Sequence, residues 1–145
     1  MLFRSNDTAT TEIYTTEDTL SLHDALPING NPLLHEEDFD PAGFRWIDCN
    51  DNENSVLSIV RYARDRRDSV VMVFNFTPVP RAEYRIGVPD AAWYGELLNS
   101  DAAIYGGGDV GNGGGAGSEP IPAHGFDQSL RLTVPPLGCL LLKEQ

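Results

Sequence analysis

Asp48-Cys-Asn50-Asp-Asn52 opens like a calcium loop, with oxygen-bearing side chains at the first, third and fifth positions. That chemistry also needs glycine at the sixth position for the sharp turn and a bidentate glutamate at the twelfth. Glu53 and Ile59 stand there instead, so the segment reads as a polar turn between strands. Gly106 to Gly117 holds eight glycines in twelve residues. A phosphate loop would close on Gly-Lys-Ser/Thr and run into a helix, and neither follows. A mobile surface loop without regular structure is expected, because glycine carries the largest backbone entropy. His35-Glu36-Glu37 lacks the second histidine of a zinc motif, and His124 has no second ligand nearby in sequence. No G-x-S-x-G nucleophile elbow occurs. The reading assigns no catalytic residue, no cofactor and no metal.

Aromatic side chains are the remaining candidates. A flat ring can stack on the apolar face of a glucose unit while nearby amides or carboxylates take the hydroxyls. Trp93, Tyr94 and Tyr105 are the candidate contacts of this kind. Trp93 and Tyr94 are adjacent in an alternating strand, so they occupy opposite faces and at most one is exposed. Trp46 shares the register of Phe44 and is expected in the core.

The elements that would position these residues are strands. Ser69 to Pro80 contains the apolar run Val70 to Phe74, closed by Pro78 and Pro80. Such a run reads as a strand buried on both faces, around which the others pack. Asn75 and Thr77 can bond their own backbone and start a turn. Further strands are expected at Gly43–Cys49, 55–64, Tyr84–Val88, Trp93–Leu98, Phe126–Val134 and Leu137–Lys143. Polar turns are expected at 50–54 and 65–68. Seven or so short strands with no amphipathic helix point to an all-β antiparallel sandwich.

The 145 residues carry 10 Lys plus Arg against 22 Asp plus Glu, a net charge of -12. That balance argues against nucleic acid and against anionic membrane surfaces, and leaves neutral ligands such as sugars open. Cys49 and Cys139 are too few for a disulfide scaffold and form no CxxC pair. Both sit among apolar residues and are expected to be buried, reduced and unpaired. No apolar run approaches a membrane span, and the N-terminus lacks the order of a secretory signal. A cytoplasmic location is expected.

Residues 1–28 differ from the rest in being Thr-rich with no sustained apolar period. LFRSNDTATTEIYT and SLHDALPI resemble the conceptual translation of sequencing-adapter DNA. That resemblance implies a disordered tail unrelated to the domain at 29–145. From Asn29 onward the strings are of another kind. PLLHEEDFDPAGFRWIDCNDNENSVLSIVRYARD, VVMVFNFTPVPRAEYRIGVP, WYGELLNSDAAIYGGGDVGN and LRLTVPPLGCLLLK resemble the C-terminal β-domain of bacterial glycogen branching enzymes, in the α-amylase superfamily. The resemblance implies a Greek-key β-sandwich of seven or eight strands. It also implies a parent enzyme that cuts α-1,4-glucan and rejoins it through α-1,6 bonds. The catalytic carboxylates of that family lie on a (β/α)₈ barrel, and no position here matches one. The implied partners are α-glucan and the barrel. A free-standing carbohydrate-binding module and the β-domain of another amylolytic enzyme stay open as alternatives.

Overall fold

The structure, a computed structural model, describes residues 40–145. The expected tail at 1–28 lies outside the described residues. Eight strands follow in order: β1 Phe44–Asp51, β2 Val56–Tyr62, β3 Ser69–Asn75, β4 Arg81–Val88, β5 Trp93–Asn99, β6 Gly115–Gly117, β7 Gln128–Val134 and β8 Gly138–Glu144. They form a six-stranded sheet ordered β1-β2-β3-β8-β5-β6 and a two-stranded sheet β4-β7. Every ladder is antiparallel. Only β1-β2, β2-β3 and β5-β6 join chain neighbours. The chain crosses to the small sheet after β3 and returns before β5, then repeats the crossing around β7, in the manner of a Greek key. Among the described residues the helical structure is two three-residue 3-10 turns.

β3 occupies the middle, paired with β2 on one side and β8 on the other. Its apolar run serves both faces. Val71 and Val73 point into the shared core with Leu140 and Leu142 of β8 and Ile86, Val88, Leu130 and Leu132 of the small sheet. Val70, Met72 and Leu141 are buried but belong to the opposite face. A single-faced strand would alternate, and β3 does not because both of its faces are apolar, only one of them belonging to the shared core.

Two of the four crossings between sheets meet at Asn75. This side chain is 2% exposed. Its amide donates to the carbonyls of Val79 (2.8 Å) and Pro135 (3.0 Å), and its oxygen accepts from the Thr77 amide and hydroxyl. The turn chemistry of Asn75 and Thr77 is thus as the sequence implies, and it reaches further, tying the β3–β4 corner to the β7–β8 corner.

Four expectations are corrected. Trp46 is not core but 49% exposed, while Ile47 is buried. The β1–β2 ladder slips between Trp46 and Asp48, and Ile47 is the residue that reaches the core. Cys49 is exposed and Cys139 half-buried, although both are free as expected. Cys139 stands beside Phe74 on the face opposite the core residues Leu140 and Leu142, and Cys49 lies on the edge strand β1, so apolar neighbours in sequence did not imply burial. The polar turn expected at 50–54 starts later, because β1 runs on to Asp51. The glycine-rich stretch does contain a strand, Gly115–Gly117, which pairs with Trp93, Tyr94 and Gly95. Edge pairing satisfies its backbone groups and offsets the entropy. Gly115, at φ +155°, also sits so close to the Tyr94 carbonyl that a side chain would collide with it.

Candidate functional site

The three candidate aromatics are separated by the fold. Tyr94 lies fully buried in the core. Its hydroxyl accepts from the Asp90 amide and donates to the Asp90 carbonyl, both at 3.2 Å. Burial pushes its phenol up to about 12. This removes Tyr94 from contact with any ligand. Tyr105 is 39% exposed at the end of the 3-10 turn Ala103–Tyr105. Trp93 is 49% exposed at the start of β5. The sequence rule that only one of Trp93 and Tyr94 faces out therefore holds, and it selects Trp93. Trp46 lies on β1, the opposite edge strand of the large sheet, with β2, β3 and β8 between it and β5. At ~4.8 Å per strand that is a separation of roughly 20 Å. Its ring meets Phe44 edge-on at 5.0 Å.

The ring of Trp93 is laid along β6. A Cβ on Gly115 would come within 3.0 Å of its Nε1, and one on Gly117 within 3.7 Å of its Cε3. The indole thus spans two positions of a strand that has no side chains there. The side chain is packed along this glycine strand and remains half-exposed. A groove of ≈ 460 Å³ beside it is lined by Ala92, Trp93, Gly117, Ser118, Pro120 and Gln128, among others.

Tyr105 sits in a loop organised by carboxylates rather than left loose. Asp101 accepts the amides of Gly108 (3.1 Å) and Val110 (3.0 Å). Glu96 accepts the backbone and side-chain amides of Asn112 and the amide of Gly114. Asn112 in turn bonds both backbone groups of Thr133 on β7. Sequence reading missed Glu96, Asp101 and Asn112 because their partners are backbone amides, which carry no residue signature.

Several other carboxylates are engaged by cations or hydrogen-bond donors. Glu119 takes Arg85 at 2.7 Å, Glu83 takes Arg131 at 2.7 Å and Asp68 takes Lys143 at 3.0 Å. Asp51 accepts the Tyr84 hydroxyl at 2.6 Å and both nitrogens of Asn54. Burial raises the Asp51 carboxyl, but the bonds from Tyr84 and Asn54 outweigh it and hold it below the usual carboxylate range. No group of three metal-ligating side chains occurs among the described residues. No helix among them is long and apolar enough to cross a membrane. These contacts hold strands and loops together, whereas Trp93 stands half-exposed beside an open groove.

Comparison with known proteins adds the following. Residues 46–145 match the family described as alpha amylase, C-terminal all-beta domain. The 1,4-alpha-glucan branching enzyme of Aromatoleum aromaticum is 56% identical over 109 residues, 75% of this chain and 17% of that protein. That of Dechloromonas aromatica is 51% identical over 114 residues, 79% of this chain and 18% of its own length. That of Cereibacter sphaeroides is 55% identical over 111 residues, 77% and 15% respectively. The chain therefore spans less than a fifth of these curated relatives.

Proposed function

The chain belongs to the α-amylase C-terminal all-β domain family, and from that premise we propose that it is the terminal β-domain of a 1,4-α-glucan branching enzyme. The parent is a glycosyltransferase of glycogen biosynthesis that forms α-1,6 branches on α-1,4-glucan in the cytoplasm. Its catalytic groups belong to a barrel domain, and the present domain supports that barrel without contributing a reacting group.

The observation that carries this reading is the second apolar face of the large sheet. Trp46, Ile59, Met72, Leu141 and Leu98 stand in one cross-strand row on five successive strands. Leu57, Phe74 and Cys139 stand in the next. At the edge of that face Phe74, Phe76 and Leu137 line an apolar groove of ≈ 390 Å³, with Phe76 64% and Leu137 69% exposed. A solvated outer face would alternate with polar residues. An apolar one, in a chain similar to a small part of a much larger enzyme, fits a surface for the rest of that enzyme.

The test is a graft. Residues 40–145 replace the matching segment of the Aromatoleum aromaticum branching enzyme, and branching is read by the shift of the iodine–amylose spectrum. Activity within about threefold of the parent supports the proposal. Ile59→Lys in the graft should lower it at least tenfold by placing a charge in the interface. A soluble, folded graft without activity would overturn the reading. Residues 1–28 have no part in this function. A chain beginning at Asn29 should melt within about 2 °C of the full chain, and a larger drop would show that they stabilise the domain.

A further inference from the structure

We propose that Trp93 and its neighbouring groove form a subsite for one glucopyranose unit of an α-1,4-glucan chain. The hexopyranose class follows from the site itself. The α-1,4 linkage rests on the branching-enzyme reading above.

A sugar ring offers a flat patch of C–H bonds and a rim of hydroxyls. The C–H patch is weakly positive and matches the negative face of an indole. Trp93 supplies that face held flat on β6, with the ring along Gly115 and Gly117. The rim needs uncharged donors and acceptors beside the ring. Ser118 Oγ accepts from the Ala92 amide at 2.9 Å, which leaves its proton free to donate. Gln128 lines the same groove and is half-buried, with an amide that can both donate and accept.

The walls are fixed before any ligand arrives. The Ser118 amide donates to the Ala92 carbonyl at 2.9 Å, so residues 92 and 118 are joined twice. Glu119 and Ser129 exchange backbone bonds of 2.8 and 3.0 Å, which ties the wall at Pro120 to the wall at Gln128. Arg85 then bridges the Ser129 hydroxyl (2.7 Å) and the Glu119 carboxylate (2.7 Å). A preorganised site loses little entropy on binding.

Charge excludes the main rivals. The lining residues carry no charge, and the chain is at -12. Phosphate, nucleotide and acidic peptide ligands would find no cation in the groove and a repulsive field around it. A neutral ligand with one flat apolar face remains. The groove is open to solvent, so the expected affinity is weak, on the order of 1 mM.

The experiment titrates the full chain with maltoheptaose, reading affinity by calorimetry and location by amide shifts. Shifts should cluster at residues 91–93, 117–120 and 128. Trp93→Ala should weaken binding at least tenfold, Gln128→Ala about threefold, and Trp93→Phe less than fivefold because a ring remains. Trp46→Phe should change nothing. Unaltered melting of the Trp93 variants excludes a folding effect. No binding at 20 mM maltoheptaose, shifts centred elsewhere, or shifts that follow self-association instead of sugar would each overturn the subsite. A graft that branches while the chain ignores maltoheptaose sinks the subsite and spares the domain's role. Maltoheptaose binding at Trp93 alongside an inactive graft does the reverse.

Discussion

Asn75 shows how much one polar side chain can carry when it is buried with every atom engaged. Replacing it with Ala removes the partner of the Thr77 amide and of the carbonyl of buried Pro135, while the carbonyl of exposed Val79 keeps the Thr77 hydroxyl at 3.3 Å. A buried group left unpaired costs about 1–3 kcal/mol, so Asn75→Ala should lose roughly 3 kcal/mol in urea melts. A loss under about 0.5 kcal/mol would mean the corners hold without it. Asp51 sets a pH dependence whose sign follows from its lowered carboxyl. Its folded-state pKa lies below the ordinary 3.8, so its contribution is fully present above that value and fades as pH falls through the folded one. Stability should therefore decline below about pH 4, and the Asp51→Asn variant should decline less steeply over the same range. Melts at pH 7, 5, 3 and 2.5 read the two slopes, and parallel curves would remove Asp51 from the account. Of these two residues the sequence announced one. Asn75 follows an apolar run and precedes Thr-Pro, which is turn chemistry. Asp51 looked like part of a polar turn, and its partner Tyr84 is 33 residues away. Tyr94 and Trp93 divide the same way: alternation told that only one is exposed, but only packing told which.

The element least legible in the sequence is the connection from β5 to β6. Eight glycines argued for a loose loop, since composition records the entropy that must be lost but not the bonds that offset it. Asp101 closes this loop by accepting two amides, and its own backbone carbonyl takes the Asp109 amide at 2.7 Å. Gly107 packs directly on the Asp101 backbone, where a side chain would collide, so at least one glycine is required by contact. Asp101→Ala should raise hydrogen exchange at the Gly108 and Val110 amides at least tenfold, matching the loss of about 1.5 kcal/mol or more for bonds to a charged acceptor. The amides of β3 and β8 should not change. Equal protection in variant and parent would show that the glycines hold their path unaided. By contrast β3 was plain from its apolar run and two prolines. Strand β1 was visible too, but its facing was not, because a slip in the β1–β2 ladder is invisible to a strict period of two.

At the scale of the whole molecule, the placement of the described acids bears on the chemistry expected of the chain. Retaining transfer at an anomeric carbon needs two carboxyl groups about 5–5.5 Å apart, one as nucleophile and one as acid, flanking the scissile bond. The acid also needs a raised pKa. Here Glu96 and Asp101 hold loop amides, Glu83 and Glu119 hold arginines, Asp68 holds Lys143, and Asp51 is shifted downward. Glu144 is shifted upward, by burial and by Asp90 and Asp68, but it lies on β8 opposite the buried Tyr94 and borders neither of the two grooves. Both faces of the large sheet are apolar, and the described residues lining the Trp93 groove include no acid. With these acids so engaged, the domain is expected to lack the carboxyl pair that breaks a glycosidic bond. Incubated alone with amylose, it should leave the iodine spectrum unchanged and release no reducing ends over a day. Substituting any single acid would then alter stability or loop order only. Reducing ends released by the purified chain, and lost on Glu144→Gln or Glu119→Gln, would show a working carboxyl pair and place the chemistry inside this domain.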